Sequence, residues 1–273
     1  MKRALAFLAA FFVLAQQGAA QHTAARNATI PAANARLVQI SAGAGSLRVQ
    51  GQPGATTVSI AGQARASSER LLAGIQLVAE PRGDVIHVEA VMPSPSSGWH
   101  ILNFGNHSAA LDLVITIPAG MAVNATDGSG EAEIRGTGAL RIRDGSGSLI
   151  VEDVMGEVDI EDGSGELTVR NVTGPVTIED ASGSIRLEGV GRDITLSDGS
   201  GEIVIRRVGN VRITSDGSGS IDIADATGTV RVDSDGSGDI NVRNVGGDFI
   251  VERGGSGRVR YDNVRGRVDV PRR

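Results

Sequence analysis

From residue 127 onward, apolar and polar positions alternate in a pattern that resets at nearly constant intervals. In the stretch Asp162–Glu179 the apolar places are Leu167, Val169, Val172, Val176 and Ile178. One interval earlier they hold Leu149, Val151, Val154, Val158 and Ile160; one interval later, Ile185, Leu187, Val190, Ile194 and Leu196. The last interval has Val259, Tyr261, Val264, Val268 and Val270. Alternation over the first pair, and again over the last, is the period-two mark of two half-buried strands. The lone middle residue predicts an inward side chain at the bend between them. The glycines that follow it (Gly156, Gly174, Gly191, Gly209, Gly228, Gly246) are expected to give that bend its positive φ. Thr168, Arg186, Asp222 and Arg260 fall on the outward, solvated side of the pattern.

The second bend is marked by a near-invariant phrase, Asp-Gly-Ser-Gly, whose serines stand at 129, 146, 164, 182, 200, 218, 237 and 256. The steps between them are 17 to 19 residues. A coil that short cannot bury its apolar face alone and must stack on its neighbours. The fold class predicted is all-β: a single β-solenoid of about 18-residue coils over 127–273, with an irregular N-terminal β cap.

The cap is expected over 37–126. It begins with a degenerate coil, Gly43–Val49 followed by Val58–Ile60, and continues with a hairpin of Ile75–Glu80 and Val85–Val91 across Pro81–Asp84. Leu111–Ile117 reads as a further strand. Between them the Pro/Ser/Gly-rich stretch Met92–Ala109 carries Trp99, Ile101, Leu102 and Phe104. These are the interaction candidates: either an apolar patch for a partner or a plug on the open end of the core. Residues 21–36 read as a flexible leader. Residues 1–20 read as an export signal, with Lys2 and Arg3 before an apolar run from Ala4 to Ala15 and small residues at Gly18-Ala19-Ala20. That run is shorter than the roughly 20 residues of a bilayer span, so no integral membrane anchor is expected.

Composition narrows the chemistry. The chain has no cysteine, which excludes disulfides, thiol catalysis and a lipidated N-terminal cysteine. Its one lysine is Lys2, so Schiff-base and P-loop lysine chemistry are excluded from the mature chain. Residues 127–252 hold 25 acids and 11 arginines, whereas 253–273 hold seven arginines and two aspartates. A mostly acidic rod with one basic end does not suit nucleic acid.

The run Leu111–Gly130, followed by repeated Ser-Gly-x-Ile/Leu-x-Val and Gly-x-Val-x-Ile units, resembles the bacterial putative-adhesin family. The resemblance covers about Leu37 to Val270 and implies an exported β-solenoid with no catalytic or cofactor motif to carry over. The aspartate of the phrase is more regular here than that family requires.

That regularity makes Asp127, Asp144, Asp162, Asp180, Asp198, Asp216 and Asp235 the sharpest candidate site. Stacking would align them, and a column of carboxylates could bind calcium. The preferred reading is an Asx turn, each carboxylate accepting the N–H two residues on, because like charges about 4.8 Å apart in water repel by only about 1 kcal/mol. The repeat also lacks the calcium-roll motif, so no metal or other cofactor is expected. The phrase serines have no histidine in the repeats to activate them: the four histidines are His22, His87, His100 and His107. Those histidines match no zinc spacing. Glu161/Asp162 and Glu179/Asp180 would point to opposite faces of a strand, which argues against paired-carboxylate glycosidase chemistry. The function expected is an exported, non-enzymatic structural or adhesin-like protein, periplasmic or extracellular, whose partner is an envelope protein or glycan. The alternatives are a polysaccharide-acting envelope enzyme and a calcium-binding module.

Overall fold

The computed structural model describes residues 21–93 and 108–271. Each coil gives one strand to each of two twelve-stranded sheets. Gly147–Val154, Gly165–Val172 and Gly183–Val190 lie side by side in the first sheet; Val158–Asp162, Val176–Asp180 and Ile194–Asp198 lie side by side in the second. Pairing is parallel and mostly in register, so like residues stack: Leu149 on Leu167 on Ile185 in one sheet, Val158 on Val176 on Ile194 in the other. These aliphatic ladders face one another and form one continuous buried core.

The two bends use glycine differently. At the phrase, its last glycine has φ between +134° and +152° from Gly130 to Gly238, and a Cβ on Gly165 would sit 1.5 Å from the Gly147 carbonyl oxygen. At the other bend the positive φ belongs to the residue before the inward apolar one: Asp153, Asn171, Arg207, Asp225, Asn244 and Asn263, at 53° to 60°. Asn and Asp tolerate this left-handed conformation better than most residues. They also bond down the stack, Asn171 Nδ2 donating to Asp153 Oδ1 at 3.0 Å and Asn263 Nδ2 to Asn244 Oδ1 at 2.8 Å. All but Gly191 of the glycines expected to supply that φ are required for closeness instead; a Cβ on Gly174, for instance, would lie 2.3 Å from the Gly156 oxygen.

The N-terminal end is closed by antiparallel pairing. Ala109–Pro118 extends the first sheet beside Leu47–Gln52, Thr57–Ala66 pairs antiparallel with it, and His22–Pro31 pairs antiparallel with Thr57–Ala66. In the second sheet the hairpin of Gln76–Arg82 and Val85–Val91 forms as expected and docks on Leu37–Ser41. Two expectations are corrected. Much of the supposed flexible leader, 21–36, is strand His22–Pro31; its alternation runs through Ala24, Arg26 and Ala28, too weakly apolar to be read. Val58–Ile60 belongs to the antiparallel strand of the first sheet, not to the second strand of a coil.

Helix Glu69–Gly74 lies beside this cap. The Ser68 hydroxyl accepts the Leu71 N–H at 3.3 Å; at the other end the Leu72 carbonyl accepts both the Ile75 N–H and the Arg26 guanidinium, which also donates to the Ile75 carbonyl.

The outer faces carry ion pairs between coils. Glu152 meets both Arg135 and Arg170, and Arg143 meets Glu161 at 2.7 Å. Asp233 meets Arg212 and Arg231, and Arg231 also meets Glu252. Thr168, expected among the solvated outward residues, is buried between the Ile150 and Arg186 rungs.

Candidate functional site: a buried aspartate column

In Val158–Asp162 the inward residues are Val158, Ile160 and Asp162, and the outward ones are Asp159 and Glu161. The phrase aspartate is likewise the third inward residue of six neighbouring second-sheet strands, those ending at Asp127, Asp144, Asp162, Asp180, Asp198 and Asp216, at the edge of the core. Parallel register stacks Asp127 on Asp144, Asp162, Asp180, Asp198 and Asp216, and a single bridge adds Asp235. All seven are buried, with 3–7% of their surface exposed.

This corrects the reading of a solvated column. At the effective dielectric of a protein site, neighbouring ionised carboxylates about 4.8 Å apart would repel by roughly 3–4 kcal/mol, several times the value in water. The Asx turn answers only part of that cost. The Ser200 N–H donates to Asp198 Oδ1 at 3.1 Å, and the N–H groups of Ser164, Ser182 and Ser218 favour the charged forms of Asp162, Asp180 and Asp216. These N–H groups approach without closing a well-formed bond at most rungs: both carboxylate oxygens of Asp127, Asp144, Asp162 and Asp216, and one oxygen each of Asp180, Asp198 and Asp235, are buried with no hydrogen bond of good geometry.

The electrostatic result is a set of raised pKa values. Burial, then the charges of Asp127 and Asp162, push Asp144 up to about 7. Burial, then Asp198 and Asp235, push Asp216 up to about 7. Asp162 and Asp180 rise to about 6, from burial first and the next aspartate second. Asp127 and Asp198 are raised as well, chiefly by burial.

The other candidates separate. Glu161 points outward to Arg143 while Asp162 points inward, so the adjacent carboxylates do not converge. The phrase serines serve the corner, the Ser164 carbonyl accepting the Gly147 N–H at 3.0 Å and that of Ser182 the Gly165 N–H at 3.1 Å. His87 lies in strand Val85–Val91 opposite Gln39, and His22 is 3.9 Å from Glu69. Among the described residues no three His, Asp or Glu side chains converge in an arrangement that could hold a metal ion. Trp99, Ile101, Leu102 and Phe104 lie outside the described residues; their loop leaves from Met92 and returns at Ala109, both packed on the core near the cap.

One feature escaped the sequence reading. Among the described residues the last coil forms the edge of both sheets; its Val259, Val264, Val268 and Val270 are only partly buried and Tyr261 is 51% exposed. A shallow hollow lined by Asn241, Arg243, Arg260 and Asp262 opens beside Tyr261. The basic composition of 253–273 was the signal available for it.

No family model matches the chain, and no curated protein does. Among solved structures, a putative adhesin from Bacteroides fragilis is 14% identical, over 92% of this chain and 98% of its own, with a TM-score of 0.43. A putative adhesin from Parabacteroides merdae is 13% identical, over 90% and 96%, at 0.41. A putative lipid binding protein from Parabacteroides distasonis is 16% identical, over 91% and 97%, at 0.39.

Proposed function

We propose that this chain is an exported, non-enzymatic, adhesin-like protein that presents its solenoid surface to a protein or glycan of the cell envelope. The observation that carries the reading is the outward repetition of charge. Arg135, Glu152 and Arg170 form one ladder across successive coils, and Arg212, Asp233, Arg231 and Glu252 form another. Their arginines remain partly exposed while Glu152 and Asp233 are largely covered, and pairs open to solvent on one side contribute only about 1 kcal/mol each to stability, so their alignment is free to serve recognition. A face that offers similar groups at each coil suits a long or repetitive partner, to which many weak contacts add through multivalency. Among the described residues no helix is long and apolar enough to cross a membrane. The Met92–Ala109 loop, with Trp99 and Phe104, is proposed as a second contact at the capped end.

The test uses the chain from Gln21 onward, labelled and incubated with a native envelope fraction. Saturable retention is expected, weakened at least about tenfold when Arg143, Arg170 and Arg212 are all changed to Glu, since rim charges set steering and specificity. Retention no greater than that of an unrelated acidic protein would refute the proposal.

A further inference from the structure

The seven column aspartates pose a problem that neither turn geometry nor the outer ladders resolve. Eleven of their fourteen carboxyl oxygens are orphaned as long as every carboxyl is ionised, because a neighbouring carboxylate offers no donor. Strand register nevertheless sets Asp127 beside Asp144, Asp180 beside Asp198 and Asp216 beside Asp235 on adjacent rungs, where the carboxyls of each pair act on one another as hydrogen-bond partners. One proton placed between two such groups turns an unpaired, repelling pair into a donor and an acceptor.

We propose that the column is a proton-binding site in which these three pairs each hold a shared proton in the folded protein, with Asp162 titrating alone between two of them.

The surroundings favour a proton over a metal ion. The inward residues that precede the column on its own strands are buried aliphatics, Ile142, Ile160, Ile178, Leu196 and Ile213, and the first inward residues after each corner, in the opposite sheet, are Leu149, Leu167, Ile185, Ile203 and Ile221. The arginines of the adjoining strands are turned outward: Arg141 pairs with Asp159, Arg143 with Glu161 and Arg212 with Asp233. The charged groups acting on Asp144 and Asp216 are the aspartates above and below them. Calcium needs six to eight oxygen ligands around one point, whereas the column spreads its carboxyls along a line. Shared protons also make the column cooperative, since loss of one proton raises the charge felt by the next rung. The phrase corner is thereby a pH-sensitive seam along the rod: protonated it is hydrogen-bonded from coil to coil, and ionised it is driven apart.

Infrared spectroscopy of the whole chain with carbon-13 in the aspartate carboxyls tests this directly. A labelled protonated-carboxyl band is expected to persist above pH 5 and to disappear between about pH 6 and 8, with ordinary aspartates ionising near 4. Two outward aspartates move the opposite way: the guanidinium groups of Arg212 and Arg231 lower Asp233, and backbone and arginine contacts bring Asp239 to about 2. Asp144→Asn and Asp216→Asn each keep a donor in the pair and should remove part of the band. If those variants fail to fold, the labelled wild-type titration still decides. Complete loss of the band by pH 5 overturns the proposal. So does a divalent ion that co-purifies with the chain and whose removal by chelator makes the band appear.

Discussion

Phe249 and Tyr261 meet across the two sheets at the C-terminal end, their ring centroids 6.0 Å apart and their planes tilted by 54°. Phe249 is fully buried, whereas Tyr261, stacked on Val242, lies on the edge strand of its sheet among the described residues and is half exposed. The pair therefore closes the core where the aliphatic ladders run out.

Truncating the two rings should have unequal effects. Phe249→Ala is expected to cost about 3–5 kcal/mol as a buried aromatic deletion, while Tyr261→Ala should cost only about 1–2 kcal/mol because half its surface is already in water. Hydrogen exchange after Tyr261→Ala should rise in Val259–Val264 and leave Gly165–Val172 protected. Equal losses in denaturant melts would contradict this view of the end.

Glycines of the phrase should be intolerant for steric reasons. In Gly165→Ala the new methyl would collide with the Gly147 carbonyl and hold a positive φ, so several kcal/mol or a failure to fold is expected. Gly83→Ala is the control. Its φ is +66° but no atom lies within 4 Å of the added carbon, so only about 1–2 kcal/mol should be lost. Similar urea midpoints for the two variants would refute the stacking argument.

The regular coils were legible because burial writes itself into sequence as alternation, and Leu167, Val169, Val176 and Ile178 all face the core as expected. Strand His22–Pro31 was not legible, because an edge strand that packs through Ala24, Arg26 and Ala28 carries little apolar signal. The aspartates were located but misjudged. Nothing in Asp-Gly-Ser-Gly says whether the carboxyl points to water or to the core; that depends on where the strand ends, and Asp162 turns out to continue the inward series of Val158 and Ile160. The left-handed residues, Asn171 and Asn244 among them, were passed over in favour of the neighbouring glycines, although recurring Asn and Asp before an apolar residue carried that signal.

Stability should be collective along the stack. Val169 is fully buried between Val151 and Leu187, and Val169→Asp would place an unpaired charge among aliphatics at a cost of several kcal/mol. Each coil depends on its neighbours for burial and for strand hydrogen bonds, so exchange should quicken across Leu140–Val190 together. Opening confined to the strand Gly165–Val172 would show that the coils are independent.

The dependence of stability on pH should run opposite to that of most acidic proteins. Asp144 and Asp216 are raised to about 7, and Asp162 and Asp180 to about 6, by burial first and by neighbouring charge second. An unfolded aspartate titrates near 3.9, so between these limits the folded chain binds more protons than the unfolded one. The resulting stabilisation is fully present below about pH 4 and is lost as pH rises through 6 to 7. Asp239, Asp233 and Glu161 act in the other direction, since their lowered values give a contribution that fades only in acid. The melting temperature should therefore be highest between about pH 4 and 6 and fall from pH 6 to 8. Asp144→Asn carries no charge at any of these pH values and can still donate to Asp127, so it should melt above the wild type at pH 8 and lose that advantage at pH 5. A wild-type melting temperature that rises from pH 5 to 8, or an Asn variant that is less stable at pH 8, would show that the column is ionised in the folded protein and held together by something other than its own protons.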